Sequence, residues 1–147
     1  MTRDVLTVRV EDPVDAAVDI IVARRVTGVP VVDDERRCVG VVTESDILGK
    51  RGTTVGEIMT ANAVTVEEDL SLAEAAEIML TQRIRRLPVV RADNTLVGLL
   101  TRMDLVRWFG QTRWTCAWCS HSERGLRPPN ACPSCGGESW RFTTEER

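Results

Sequence analysis

A single histidine, His121, occurs in the 147 residues, and it stands apart from any candidate nucleophile. With no nucleophile–base pair in view, base-assisted covalent catalysis has nothing to work with. The glycine-rich phosphate loop of an NTPase is also missing. Charge of one sign is lacking too: 19 basic against 22 acidic residues leave a net charge of −3, far from the basic footprint of a dedicated nucleic-acid binder. No apolar run approaches the roughly 20 residues of a membrane helix. Met1-Thr2-Arg3-Asp4 opens no signal peptide, so the expected address is cytoplasmic and no membrane partner is expected. These absences argue against an enzyme, and no turnover is expected.

What is present is an internal repeat. Thr7–Leu48 slides onto Thr65–Val106 without a gap. The shared positions are Thr7/Thr65, Val8/Val66, Ala17/Ala75, Ile20/Ile78, Arg25/Arg83, Pro30/Pro88, Val31/Val89, Val32/Val90, Val39/Val97, Gly40/Gly98, Thr43/Thr101 and Asp46/Asp104. A repeat of this kind turns one domain into two equivalent units with related clefts. The organisation expected is 1–51 as repeat 1, 52–110 as repeat 2 and 111–147 as a separate tail.

Each repeat reads as strand, helix, strand, strand, helix. In the first, Leu6-Thr7-Val8 is extended, and Asp12-Pro13 opens a helix with a capping carboxylate and a first-turn proline. Val14, Ala17, Val18 and Ile21 fall on one helix face, and Gly28 is expected to end that helix. Val29–Val32 and Cys38–Val42 are strands around an Asp33-Asp34 turn. The second repeat follows suit: Ser71-Leu72-Ala73-Glu74 is a capping box, and Leu87–Val90 and Leu96–Leu100 are its strands. Gly52-Thr53-Thr54 is the expected linker, followed by a short helix over Val55–Met59. In register Met59 lies opposite Met1, so the first repeat lacks this lead-in helix or is covered from elsewhere. The fold class is α/β (α+β), built twice.

Val39-Gly-Val-Val-Thr-Glu-Ser-Asp46 and Val97-Gly-Leu-Leu-Thr-Arg-Met-Asp104 end each repeat. A strand ending at Thr before a helix leaves amide N–H groups and a positive dipole end, where an anion binds readily. The Thr43 and Thr101 hydroxyls can bond the same phosphate, and Asp46 and Asp104 offer acceptors for the vicinal hydroxyls of a ribose. Thr-x-x-Asp is equally a capping box that needs no ligand. These motifs, with Val29-Pro-Val-Val-Asp33 and Leu87-Pro-Val-Val90, closely resemble the signature of CBS domains. The resemblance covers residues 1 to about 108 and implies a tandem pair, or Bateman module, that binds an adenine nucleotide or related adenosyl ligand. It implies ribose and phosphate contacts at Thr43, Asp46, Thr101 and Asp104. Adenine would lie against Thr7-Val8 and Thr65-Val66, and against the segments Gly28-Val29-Pro30 and Arg86-Leu87-Pro88. It also implies a homodimer. Arg83, Arg85 and Arg86 are expected to equip the second repeat for phosphate, where the first has Thr27-Gly28.

The tail holds Cys116-Ala-Trp-Cys119, a twelve-residue spacer, and Cys132-Pro-Ser-Cys135-Gly-Gly. Two C-x2-C knuckles turn four thiolates toward one point, and the result is a tetrahedral S4 site. The tail resembles a rubredoxin-like zinc ribbon. Zinc in a structural role is expected, with iron as the alternative, because four thiolates leave no open position. Trp114, Trp118, Trp140 and Phe142 are expected to pack around it, His121 to lie at the surface, and Cys38 to be a core residue.

The leading reading is a regulatory sensor: the pair binds an adenosine-containing small molecule, and the regulated protein is reached in trans. Alternatives are an iron protein of electron transfer, or docking of nucleic acid or protein through the ribbon. Arg113, Arg124, Arg127, Arg141 and Arg147 face Glu123, Glu138, Glu145, Glu146 and a net-negative metal centre, so nonspecific nucleic-acid binding is not expected.

Overall fold

The computed structural model describes residues 1–144; Glu145, Glu146 and Arg147, counted in the charge reading above, lie outside them. The chain divides into two compact units. One contains Met1–Leu70 and Ile84–Leu100, and the other contains Ser71–Arg83 and the described chain from Thr101 to Thr144.

In the first unit the elements run β1 (Val8–Arg9), α1 (Val14–Arg24), β2 (Gly28–Val32), β3 (Cys38–Thr43), α2 (Glu44–Gly49), α3 (Val55–Ile58) and β4 (Thr60–Ala61). The sheet order is β1-β2-β3-β4, with β1 parallel and β3 antiparallel to β2. Every residue of β2 is buried, as its unbroken apolar run predicts for a strand covered on both faces. Pro30 falls outside the parallel pairing, which joins only Val8 to Val31 and Arg9 to Val32. The core gathers Val8, Ala17, Val29, Val31 and Val42, and it includes Val55 and Ile58 of α3. The short lead-in helix thus covers the first repeat, although it precedes the second in sequence. This settles the question posed by the Met1/Met59 register. β4 follows it and pairs along β3, Val41 with Thr60 and Gly40 with Ala61.

The strands of the second repeat also belong to this unit, except for the last residue of β7: β5 (Val66–Glu67), β6 (Arg86–Val90) and β7 (Leu96–Thr101), in that order. Thr2 bridges Leu99 as Thr60 pairs with Val41, so each repeat is edged by the segment that precedes the other. Val5, Val32, Cys38, Val90 and Leu96 form a second apolar cluster where the strands of the two repeats meet. Burial there raises the pKa of the Cys38 thiol, so it behaves as a core residue.

Two details of α1 differ from expectation. Asp12 does not cap the helix; its carboxylate accepts from the Arg9 amide at 2.8 Å, and Pro13 is the N-cap. The helix ends at Arg24 and closes through Arg25 in the left-handed region (φ 53°), three residues before Gly28, which begins β2. Arg83 repeats that left-handed conformation at φ 55°.

The second unit holds α4 (Leu72–Thr81), α5 (Arg102–Gln111), β8 (Thr112–Cys116), β9 (Ser122–Glu123) and β10 (Trp140–Thr144). Ser71 and Glu74 make the predicted capping box on α4. The tail is a three-stranded antiparallel sheet in the order β10-β8-β9. Helix α5 passes directly into β8, whose first residue, Thr112, is fully buried and donates its hydroxyl to the Gly125 carbonyl at 3.1 Å.

Candidate functional site

Both Thr-x-x-Asp motifs fold as complete capping boxes. Thr43 closes α2: its amide donates to Asp46 Oδ2 at 2.9 Å, and its hydroxyl accepts from the Asp46 amide at 3.3 Å. Thr101 closes α5 with Asp104 in the same way, at 2.9 and 3.3 Å. The Glu44 amide is bonded to the Thr27 carbonyl at 3.1 Å. The amides of Thr43, Glu44 and Asp46 therefore already have partners, and the expected open cradle of N–H groups is not what α2 presents.

Asp46 is 5% exposed. Its Oδ1 receives the Lys50 ammonium at 2.8 Å and the Thr60 hydroxyl at 3.3 Å, while Oδ2 also takes the Thr43 hydroxyl at 3.1 Å. Burial works against its ionisation. The Lys50 ammonium and the Thr43 bonds outweigh burial and hold the carboxyl below its ordinary pKa. The sequence reading missed Lys50 and Thr60. Lys50 could have been found from its i, i+4 spacing to Asp46; Thr60 could not, because only the return of β4 brings it there.

The neighbouring strand supplies the remaining groups. Gly28 pairs directly with Thr43 in the antiparallel ladder of β2 and β3. The guanidinium of Arg86 rests over Gly28, so close that a Cβ there would meet it at 2.9 Å, and it donates to the Thr27 hydroxyl. Burial lowers the pKa of Arg86, and Glu44 and Asp46 oppose that shift. Arg85 lies 4.0 Å from Glu44. The expectation that these arginines equip the second repeat is thereby corrected: Arg85 and Arg86 stand at the Thr43/Asp46 motif of the first. Of the other predicted residues, Val8 and Val66 pair in parallel with Val31 and Val89, one residue beyond Pro30 and Pro88. Thr7 and Thr65 immediately precede those strands, and Val29, Leu87 and Pro88 are buried. Thr101 and Asp104 belong to the second unit, where Arg107 lies 3.9 Å from Asp104.

In the tail, the sulfurs of Cys116, Cys119, Cys132 and Cys135 all lie within 4.8 Å of one another. Cys116 and Cys135 are 3.7 Å apart, and Cys119 and Cys132 are 3.5 Å apart. A tetrahedral site with 2.3 Å metal–sulfur bonds has edges of about 3.8 Å, so the four donors fit one ion. All five cysteines are free thiols. The amides of Cys119 and Trp118 lower Cys116 to about 7. The His121 amide favours the Cys119 thiolate, but burial and the three surrounding sulfurs prevail and push it up to about 12. One thiolate forms readily, and its neighbours resist further negative charge until a cation is present. Trp114 and Phe142 pack together with ring centroids 4.9 Å apart. Trp118 is 73% exposed, contrary to expectation, and its ring edges Gly137. His121 is tied to Glu123 at 3.0 Å.

Comparison with known proteins decides the family. The CBS domain model matches residues 1–52 and again 55–111. The chain belongs to the CBS-domain family. It is 36% identical over 107 residues to an inosine-5'-monophosphate dehydrogenase of Methanocaldococcus jannaschii, covering 71% of the chain and 22% of that enzyme. It is 32% identical to CBSX1, a chloroplastic CBS domain-containing protein of Arabidopsis thaliana, covering 71% of the chain and 59% of that protein. The chain therefore spans about a fifth of one of these relatives and three-fifths of the other. Among solved structures, it superposes on Arabidopsis CBSX2 in complex with AMP with TM-score 0.69 and 34% identity, covering 71% of this chain and 87% of that one. It also superposes on the CBS pair of protein MJ0100 in complex with 5'-methylthioadenosine and S-adenosyl-L-methionine, again at 0.69, with 30% identity and coverage of 74% and 94%. No helix of the described residues is long and apolar enough to cross a membrane.

Proposed function

We propose that the chain is a non-enzymatic sensor in which the CBS pair binds an adenosine-containing ligand of the AMP, ADP or ATP class. The observation that carries this reading is the gathering of Thr43, Asp46, Gly28 and Arg86 in one place. A buried carboxylate there suits a ribose, and a partly buried guanidinium suits a phosphate. The adenosine ligands on CBSX2 and MJ0100 support it. Thr101 and Asp104 form the repeat-related second site. Adenine would lie along Thr7-Val8 with Gly28-Val29-Pro30, and along Thr65-Val66 with Arg86-Leu87-Pro88. The pair supplies binding and a change of geometry to a regulated protein reached in trans.

The tail would hold one structural zinc through Cys116, Cys119, Cys132 and Cys135. The S4 donor set and its spacing support this reading. Such a site needs reduced thiols, which fits a cytoplasmic address. Iron accepts the same ligands, and metal analysis together with the red colour of an iron–thiolate centre separates the two. A homodimer completes the reading. Leu80, Val106 and Phe109 are exposed on α4 and α5, around a depression of about 270 Å³ that Leu126 also lines. Val22 and Leu48, at the register positions of Leu80 and Val106, are exposed on α1 and α2. A second copy is the partner this repeated apolar pattern fits.

The test is calorimetric titration of the metal-loaded chain with AMP, ADP, ATP, S-adenosylmethionine and NAD. Saturable binding of a nucleotide, weakened at least tenfold by Asp46→Ala or Asp104→Ala, is expected. Heats indistinguishable from dilution with all five ligands would overturn the reading.

A further inference from the structure

Lys50 is the only lysine in the chain; the other eighteen basic residues are arginine. It stands where its ammonium meets the most engaged carboxylate of the first unit. A carboxylate offers about four lone-pair directions. On Asp46 all four are used: Thr43 supplies two donors to Oδ2, and Lys50 and Thr60 supply one each to Oδ1. The Thr43 bonds hold the cap of α2, so they cannot yield without loosening the helix. The Lys50 bond can: the side chain is half exposed, and it also donates to the Ile58 carbonyl at 3.2 Å. A compact, strongly hydrated ammonium leaves a carboxylate for water more readily than a forked guanidinium does. In register the second repeat has Trp108 at this position, and Arg107, 3.9 Å from Asp104, is 72% exposed.

From this we infer that Lys50 is a specificity-determining residue of the Asp46 site: it occupies the carboxylate oxygen that a ribose hydroxyl requires, and ligand entry must displace it. The inference rests on the adenosine-binding reading. The latch would weaken the Asp46 site toward an uncharged nucleoside, which must break the ion pair and brings no anion to replace it. A nucleotide offers its phosphate to the released ammonium and to Arg86, so the site favours phosphorylated ligands.

The experiment uses the full metal-loaded chain in an Asp104→Ala background, which isolates the Asp46 site, with adenosine and AMP as probes. Lys50→Met is expected to tighten adenosine on the order of tenfold, the scale of one charge-assisted hydrogen bond. AMP should gain less, because the variant also loses a phosphate attraction. Because there is one lysine, its acetylation rate in the unmodified chain reports the latch directly. That rate should rise on saturation with adenosine, and in Asp46→Asn without ligand. Equal adenosine affinity with and without Lys50, or a labelling rate that does not rise at saturation, overturns the latch and leaves the sensor reading standing. Failure of both probes to bind either chain overturns the two together.

Discussion

Arg37 and Thr95 occupy the same position in the two repeats and face each other across an antiparallel bridge. Beside them the Cys38 amide donates to the Asn94 carbonyl at 3.1 Å, and the Leu96 amide to the Arg36 carbonyl at 2.9 Å. Exchanging the repeats turns each bond into the other. A local two-fold relation therefore passes through this pair, and Arg36 and Asn94 both adopt positive φ to make the turn.

Leu96 lies in the apolar cluster beneath that bridge and is 2% exposed. Leu96→Ala should cost about 2–4 kcal/mol, read as a lower urea midpoint. Cys38→Ala should cost less, and the double variant should depart from additivity because the two residues share one cluster. An unchanged midpoint for Leu96→Ala would show that the strands of the two repeats do not depend on this cluster.

Gly28 and Gly40 predict opposite phenotypes. The three atoms nearest a Cβ at Gly28 all belong to the movable guanidinium of Arg86, so Gly28→Ala should weaken AMP binding several-fold with little change in Tm. A Cβ at Gly40 would lie 2.6 Å from the Thr60 carbonyl, which is backbone. Gly40→Ala must push β4 off β3, at about 1–3 kcal/mol. Calorimetry and thermal melts on both variants check the contrast.

Chelation of the metal should unfold the tail first. Amide protection over β8, β9 and β10 and the tryptophan fluorescence should be lost together, and Cys132→Ser should do the same without chelator. Metal release should be promoted by acid, since protons compete for the thiolates. One metal per chain by elemental analysis is the expected stoichiometry.

Asp46 makes stability pH-dependent. Its folded pKa is lowered despite burial, through Lys50 and Thr43. Its contribution is therefore complete above the unfolded value of about 3.9, and it is lost as pH falls through the lower folded value. Urea midpoints of the parent should fall on acidification below about pH 4, and Asp46→Asn should flatten that fall. Equal slopes for both chains would contradict the bonding at Asp46.

Strands β2 and β6, the Ser71 capping box and both Thr-x-x-Asp boxes were legible in the sequence because each is a local pattern of apolar run or cap. The four cysteines were legible from spacing alone. The end of α1 was not. A left-handed arginine carries no compositional signature, and Gly28, expected to end the helix, instead makes room for Arg86. The destination of α3 was equally hidden. Val55 and Ile58 show an apolar face, but which repeat they cover is fixed by β4 returning along β3. The positions of Arg86 and Lys50 followed the same rule: the residue types were visible, but their partners lie across the fold.

The junction of α5 and β8 has a mechanical consequence. Gln111 closes the helix and Thr112 opens the strand, with Thr112 sealed against Phe109 and Gly125. The Arg124 guanidinium grips the Gly110 carbonyl beside it. A joint without slack transmits torque. One residue inserted between Gln111 and Thr112 would turn the four-cysteine sheet by about 100° about the axis of α5 and break these fastenings, so the helix and the sheet are geared to one another as a crank is to its shaft.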